Sequence, residues 1–369
     1  MSYKKILMAL AIAVSLTSCN GENQAEQASQ TATKEESTVN NTDLQKYNSV
    51  FYDYFDTVTE FLAYAKDEEE FEKYKNILED ELSKYHKFFN TYDDFEGVNN
   101  VKTINENAGK EPVEVDPAII ELLDYSKEIY DYTDGKINMA LGNLISLWHD
   151  YREEGLADEA NAKIPSEEEL KEAASHSDIN KIEIDHEKNT VYITDSNVQI
   201  DVGAEGKGYA IKKIEEKLRE AGLEHGILSI GGDDVLIGKN PDREDGLWRI
   251  AIQNPDLKSK NPYVSVIGLE DTTVVTSGDY QRFYKVDGEV YHHIIDPDTN
   301  YPSKYFKSVS VIHPDIALSD ALSTYLFTVD FETGLKVAEE YGADVLWIDY
   351  EDNHYMTEGY GKLEQKSEK

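Results

Sequence analysis

Apolar residues recur along this chain with two different periods, and the switches between them outline its elements. Phe71, Tyr74, Leu78, Leu82, Tyr85 and Phe89 stand three and four apart, which lines one face of a helix with core side chains. Before them, Phe51 to Tyr64 (FYDYFDTVTEFLAY) is rich in aromatic and β-branched residues and predicts a strand. Asp116-Pro117 supplies an N-cap and a proline at the first helical position, opening a helix through Tyr130. Thr133-Asp134-Gly135 is a turn. Lys181 to Asp201 alternates like a hairpin, and Gly208 to Ala221 reads as a helix stopped by Gly222. Strands are predicted over 226–230, 248–253, 264–269, 273–277, 282–286, 290–295 and 308–313. Helices over 319–327 and 331–341 and a strand over 344–350 complete the pattern. Hairpins interleaved with helices, without regular strand–helix alternation, predict an α+β fold of mainly antiparallel strands with packed helices.

The two ends lie outside this pattern. Lys4 and Lys5 precede an apolar run from Ile6 to Leu16 that is too short to span a bilayer as a mature helix, and Leu16-Thr17-Ser18-Cys19 places small residues at a cleavage point. Cys19 is the single cysteine, so no internal disulfide competes for it. Asn20 to about Gln45 is Gln, Glu, Ser, Thr and Asn with little to bury, which predicts a tether. The expected organisation is a signal segment at 1–18, an acylated Cys19 with a tether at 19–47, a folded domain at 48–358 and a flexible tail at 359–369. A formal charge of −38 excludes nucleic acid as a partner, and any phosphate-bearing ligand would need a divalent cation to reverse the local sign.

Four segments have side chains suited to chemistry. In DVGAEGKGY, Asp201 to Tyr209, a strand ends in three glycines around Lys207 and a helix follows; phosphate binding and a plain turn are both compatible with it. Gly231-Gly232-Asp233-Asp234 is a turn with two carboxylates. Asp320 and Thr324 are i and i+4 on a predicted helix, a carboxylate and a hydroxyl suited to Mg²⁺ or Ca²⁺. YHHIIDP, Tyr291 to Pro297, puts two histidines side by side; on a strand one faces the core and the other solvent.

In this order the segments resemble the ApbE family, the FAD:protein FMN transferases. The matching stretches are FDTVTEF, INENAG, TDGKINMALGNLISLW, DVGAEGKGYA, SIGGDD, TSGDYQRF, YHHIIDPDT, SVSV and SDALST, spread from about Phe51 to Tyr350. The resemblance implies an ApbE-like fold and Mg²⁺-dependent transfer of FMN from FAD to a Thr or Ser of an acceptor protein, releasing AMP. It implies a metal site at the Ala204 carbonyl, Asp320 and Thr324, with flavin and adenylate contacts at Phe55, Tyr92, Lys136, Ile137, Asn138, Asp201, Lys207 and Ile294, and Asn105 near the metal. The N-terminal segment resembles a bacterial lipoprotein signal, implying an extracytoplasmic, lipid-anchored protein. Acceptors in the family often serve membrane or extracellular electron transfer. His293 is the candidate general base, with Asp320 able to share that role. The chain departs from the family pattern at Glu205-Gly206, Phe55-Asp56, Asn300 and Asp233-Asp234, and the extra acid at Glu205 bears on FAD affinity. Two other readings keep the same residues: an FAD pyrophosphatase that uses water as acceptor, and a lipoprotein that holds flavin without turnover.

Overall fold

The structure, a computed structural model, describes residues 43–365; Cys19 and the signal segment lie outside them. Its frame is one eight-stranded sheet, β1 Gln45–Tyr54, β2 Thr57–Ala65, β3 Gly226–Ile230, β4 Asp233–Ile237, β5 Thr272–Gly278, β6 Ser308–His313, β7 Asp344–Ile348 and β8 His354–Met356. Spatial order follows chain order and every neighbouring pair is antiparallel, so the sheet is a meander with long insertions. This is the α+β architecture that the residue pattern predicts. The six longer helices are α1 Glu68–Phe88, α2 Pro117–Tyr132, α3 Gly142–Ala157, α4 Gly206–Glu220, α5 Ile316–Phe327 and α6 Phe331–Tyr341.

Period-two alternation sorts side chains to the two faces. Leu228, Ile230, Val235, Ile237 and Val275 join the cluster that holds Leu78 and Leu82 of α1, Leu122 of α2 and Ile211 of α4. Further along the sheet, Val309, Val311, Val345 and Trp347 pack with Leu322 and Leu326 of α5. Their immediate neighbours Ile227, Leu236, Val274, Ile312 and Leu346 turn the other way, onto the hairpin Trp248–Gln253/Tyr263–Leu269 and Tyr360. Both faces are therefore covered.

Four differences from the sequence reading have local causes. The single strand expected over 51–64 is a hairpin, β1 and β2, whose turn residues Phe55 and Asp56 have φ of 54° and 52°. A left-handed phenylalanine is costly; here its N–H donates to His86 Nδ1 at 3.1 Å and its ring packs edge-on against that imidazole. Strand β4 stands where the sequence predicts only a turn, because Asp233-Asp234 at its start hides the apolar run behind them. Helix α3 was not anticipated: its N-cap position is Leu141 with no side-chain cap, so the usual start signal is missing. Lastly, the order at both ends extends beyond the expected boundaries. β1 begins at Gln45, and the segment from 359 onward, expected to be a flexible tail, forms a helix Glu358–Leu363 that buries Tyr360 completely.

Candidate functional site

The site is built where the N-terminus of α4 meets the middle of α5. Asp315 caps α5 by accepting from the Ala317 and Leu318 N–H groups. One face of α5 is fixed to the sheet by hydroxyls: Ser319 Oγ lies 2.9 Å from Thr273 Oγ1, and Ser323 Oγ lies 2.7 Å from Ser277 Oγ. One residue on, Asp320 and Thr324 share the next face. Asp320 is buried, and its Oδ2 accepts the Gly208 N–H at 2.6 Å. Only glycine permits that approach, since a Cβ on residue 208 would lie 2.4 Å from the Asp320 Cβ and 2.9 Å from the Ile316 carbonyl.

That bond has a consequence for the preceding loop. Gly208 N–H would ordinarily donate to the carbonyl four residues back; turned to Asp320, it leaves the Ala204 carbonyl without that donor. The Thr324 hydroxyl makes no hydrogen bond among the described residues and is half-buried. The Asp320 Oδ1 faces Lys207 Nζ at 3.7 Å. A carbonyl, a hydroxyl and one carboxylate, all oxygen and two of them unsatisfied, suit a small hard cation whose other positions are filled by phosphate or water. Mg²⁺ fits this donor set. Among the described residues no group of three or more His, Cys, Asp or Glu side chains could hold a metal, in keeping with a site that has a single carboxylate.

Lys207 already has carboxylates beside it. It is paired with the buried Asp233 and lies beside Asp320. Burial lowers its pKa against the opposing pull of Asp320, and burial raises that of Asp320 against Lys207 and the Gly208 N–H. Glu205 is 1% exposed and its Oε1 has no partner. Burial, with Asp201 and Asp320 adding to it, pushes its carboxyl up to about 8, so at pH 7 the acid that departs from the family pattern is mostly neutral. Asp201 accepts the Gly203 N–H at 2.8 Å and so shapes the loop. Asn105 clamps the segment just before it, accepting from Ile200 N–H at 2.7 Å and donating to Ile200 O at 2.9 Å.

The second half of the site is the segment 282–298. The predicted strand over 290–295 is interrupted: one strand ends at His292 and the next begins at Ile295. His292 is buried, with Nε2–H donating to the Ser303 carbonyl at 2.7 Å and Nδ1 accepting from Ile294 N–H at 3.2 Å. Burial holds its pKa down to about 4, so it is a neutral structural ring. His293 faces solvent. Its N–H donates to the Arg282 carbonyl at 3.1 Å, and Nδ1, 3.3 Å from the same oxygen, is the ring donor there. That assignment leaves Nε2 open as an acceptor. Desolvation first, then the charges of Arg282, His292 and Arg152, lower its pKa, so the ring is neutral at pH 7.

The remaining sequence-derived residues have other engagements. Lys136 binds Asp296 at 2.7 Å and Asp298 at 2.8 Å and so fixes the loop after Ile295. Ile137 and Ile294 are buried in one cluster with Phe306. Asn138 donates to the Ser177 carbonyl at 2.9 Å and accepts from Ala140 N–H at 2.8 Å. Tyr92 is 54% exposed and stacks on His149 with ring centroids 5.1 Å apart. His149 of α3 had not been singled out, nor had Arg152 or Arg282; without a spacing motif, their role is visible only in three dimensions.

The model of the ApbE family matches residues 55–347. This chain belongs to the ApbE family. It is 31% identical over 258 residues to the FAD:protein FMN transferase of Treponema pallidum, covering 66% of this chain and 69% of that one. It is 28% identical to the enzyme of the same name from Haemophilus influenzae, covering 70% and 73%. Among solved structures, the ApbE protein of Thermotoga maritima superposes with a TM-score of 0.75 at 27% identity, covering 87% of this chain and 100% of that one. The flavin transferase ApbE of Vibrio cholerae has the same fold, with a TM-score of 0.71 at 24% identity over 87% and 99%.

Proposed function

We propose that this ApbE-family chain is a transferase that moves FMN from FAD onto a Thr or Ser hydroxyl of an acceptor protein. The new bond joins the acceptor oxygen to the FMN phosphorus. The pyrophosphate P–O bond breaks, its electron pair leaves with AMP, and the hydroxyl proton passes to Nε2 of His293. The reading is carried by the α4–α5 junction: a diverted Gly208 N–H leaves a carbonyl and a hydroxyl unsatisfied beside one carboxylate, in a chain whose relatives are named FAD:protein FMN transferases.

Ala204, Asp320 and Thr324 would hold Mg²⁺, which supplies charge neutralisation at the diphosphate when bound. The protein's own share is positional. Gly208 and the hydroxyls of Ser319 and Ser323 set the Asp320 carboxylate, Asn105 sets the loop behind it, and the Arg282 carbonyl sets the His293 tautomer. Lys136, Asn138 and Tyr92 shape the surrounding wall.

The acceptor is an extracytoplasmic protein with a Thr- or Ser-containing motif, and Cys19 anchors this chain to the outer face of the cell membrane by lipid. A Cys19→Ser variant is expected to move to the soluble fraction; retention in the membrane fraction would remove the anchor. Mass spectrometry of an acceptor incubated with protein, FAD and Mg²⁺ tests the reaction. An FMN adduct on Thr or Ser with matching AMP supports it. Free FMN and AMP with no adduct would make the chain a pyrophosphatase, and intact FAD throughout would make it a flavin carrier.

A further inference from the structure

The sequence has five arginines, and four of them contact a carboxylate: Arg152 with Glu153, Arg219 with Glu215 and Asp271, and Arg243 and Arg249 with Asp245. Arg282 does not. The residue is exposed, yet enough protein surrounds its guanidinium to desolvate it, and that head has no ion-pair or hydrogen-bond partner among the described residues, in a chain where acids outnumber bases by 74 to 36. Its backbone, by contrast, is held, because its carbonyl takes both the N–H and the Nδ1–H of His293. The side chain is thus anchored at its root beside the candidate base and left open at its head.

The surroundings are also cationic. Arg152 Nη2 donates to His149 Nδ1 at 3.0 Å, and His149 stacks on Tyr92, which makes a fixed row of ring, ring and guanidinium. Arg282 lies within electrostatic reach of that row and of Lys207: after burial, Arg152 is the next influence lowering its pKa, and Arg282 in turn lowers that of Lys207. Asp56 is the carboxylate that acts on it, at a distance and without contact. Like charges gathered this way in an acidic protein are relieved by an anion, and a guanidinium fork matches phosphate oxygens two at a time. Lys207 already has the Asp233 carboxylate as its partner.

We infer that Arg282, seconded by Arg152, forms the anion subsite that grips the FAD diphosphate on the side opposite Asp320 and Thr324. This rests on the transferase reading and adds to it the residue that positions the substrate's charge. With a cation held by Ala204, Asp320 and Thr324, the diphosphate would have the Arg282 guanidinium, rooted beside His293, as its second positive partner.

The test measures binding in the presence of Mg²⁺ by titrating FAD, ADP and riboflavin into the wild type, Arg282→Gln, Arg282→Lys and the surface control Arg243→Gln. Arg282→Gln is expected to weaken FAD and ADP on the order of 10- to 100-fold, as for loss of a charged hydrogen-bonding group, to make FAD binding less salt-dependent, and to leave riboflavin unchanged. Arg282→Lys is expected to restore part of the affinity, and Arg243→Gln to behave as wild type. Unchanged FAD affinity in Arg282→Gln overturns the subsite, as does an equal loss for riboflavin. If the wild type itself binds no FAD, the transferase reading falls with it; wild-type binding that survives Arg282→Gln removes the subsite alone.

Discussion

The α4–α5 junction and the 282–293 segment hold their polar groups in opposite ways. At the junction most groups are committed: Asp320 to Gly208 and Lys207, Lys207 to Asp233, and Ser319 and Ser323 to the sheet. In the 282–293 segment the backbone is fixed while the Arg282 head and the His293 Nε2 are open. The histidine pair shows the contrast within two residues. His292 satisfies both ring nitrogens inside the core and serves structure, whereas His293 satisfies one and keeps the other for chemistry. Committed groups set geometry, and open groups meet ligands and move protons.

Variants on each side should separate these roles. The largest effect is expected from Asp320→Asn, which keeps the shape of the junction and removes its charge: kcat should fall about 10²–10³-fold, while a thermal melt shows a folded protein. His293→Ala should cost about 10²-fold or more in kcat with FAD affinity retained, and the acid limb of wild-type kcat/KM should lie below the ordinary histidine value of about 6.5, because the ring is neutral at pH 7. Wild-type turnover that halves near pH 6.5 would take the proton-accepting role from His293.

Gly208→Ala comes next. The added Cβ would press on Asp320 and the Ile316 carbonyl, prying α4 from α5, at a cost of about 2–3 kcal/mol in denaturant melts; a wild-type midpoint would mean the helices are free to separate. His292 should reveal itself through stability. Its folded pKa, about 4, lies below the unfolded value, so the unfolded chain takes up the proton first as pH falls. Stability is intact above about 6.5 and declines toward pH 4 by up to about 3 kcal/mol. His292→Asn should start less stable and lose that part of the pH slope; an unchanged slope would assign the acid sensitivity elsewhere. Smallest is Tyr92→Leu, where loss of an exposed ring stack should cost about 1 kcal/mol or less.

What the sequence shows of this site depends on how local each signal is. Asp320 and Thr324 were legible because helical spacing alone puts them on one face. The histidine pair was legible because strand alternation alone separates core from solvent. Asp116-Pro117 and the 3.6 periodicity of α1 located their helices for the same reason. Lys207 and Lys136 are ligand contacts by the family resemblance, and glycines flank only Lys207 in a way compatible with phosphate. Their carboxylates, Asp233, Asp296 and Asp298, lie 26 to 162 positions away and join them only through the sheet and its loops. Arg282 stands inside the TSGDYQRF stretch without a role of its own there: an arginine is conspicuous only once the other four are seen to be paired. Glu205 read as an added charge, and burial makes it mostly neutral.

The claim underneath all of this is that α4 and α5 assemble a cation site from Ala204, Asp320 and Thr324. Electron paramagnetic resonance of Mn²⁺ titrated into the protein with FAD measures it without turnover. A single tightly held ion in the wild type, lost in Asp320→Asn and weakened in Thr324→Val, is the expected result. Mn²⁺ bound equally well by the wild type and both variants would contradict it.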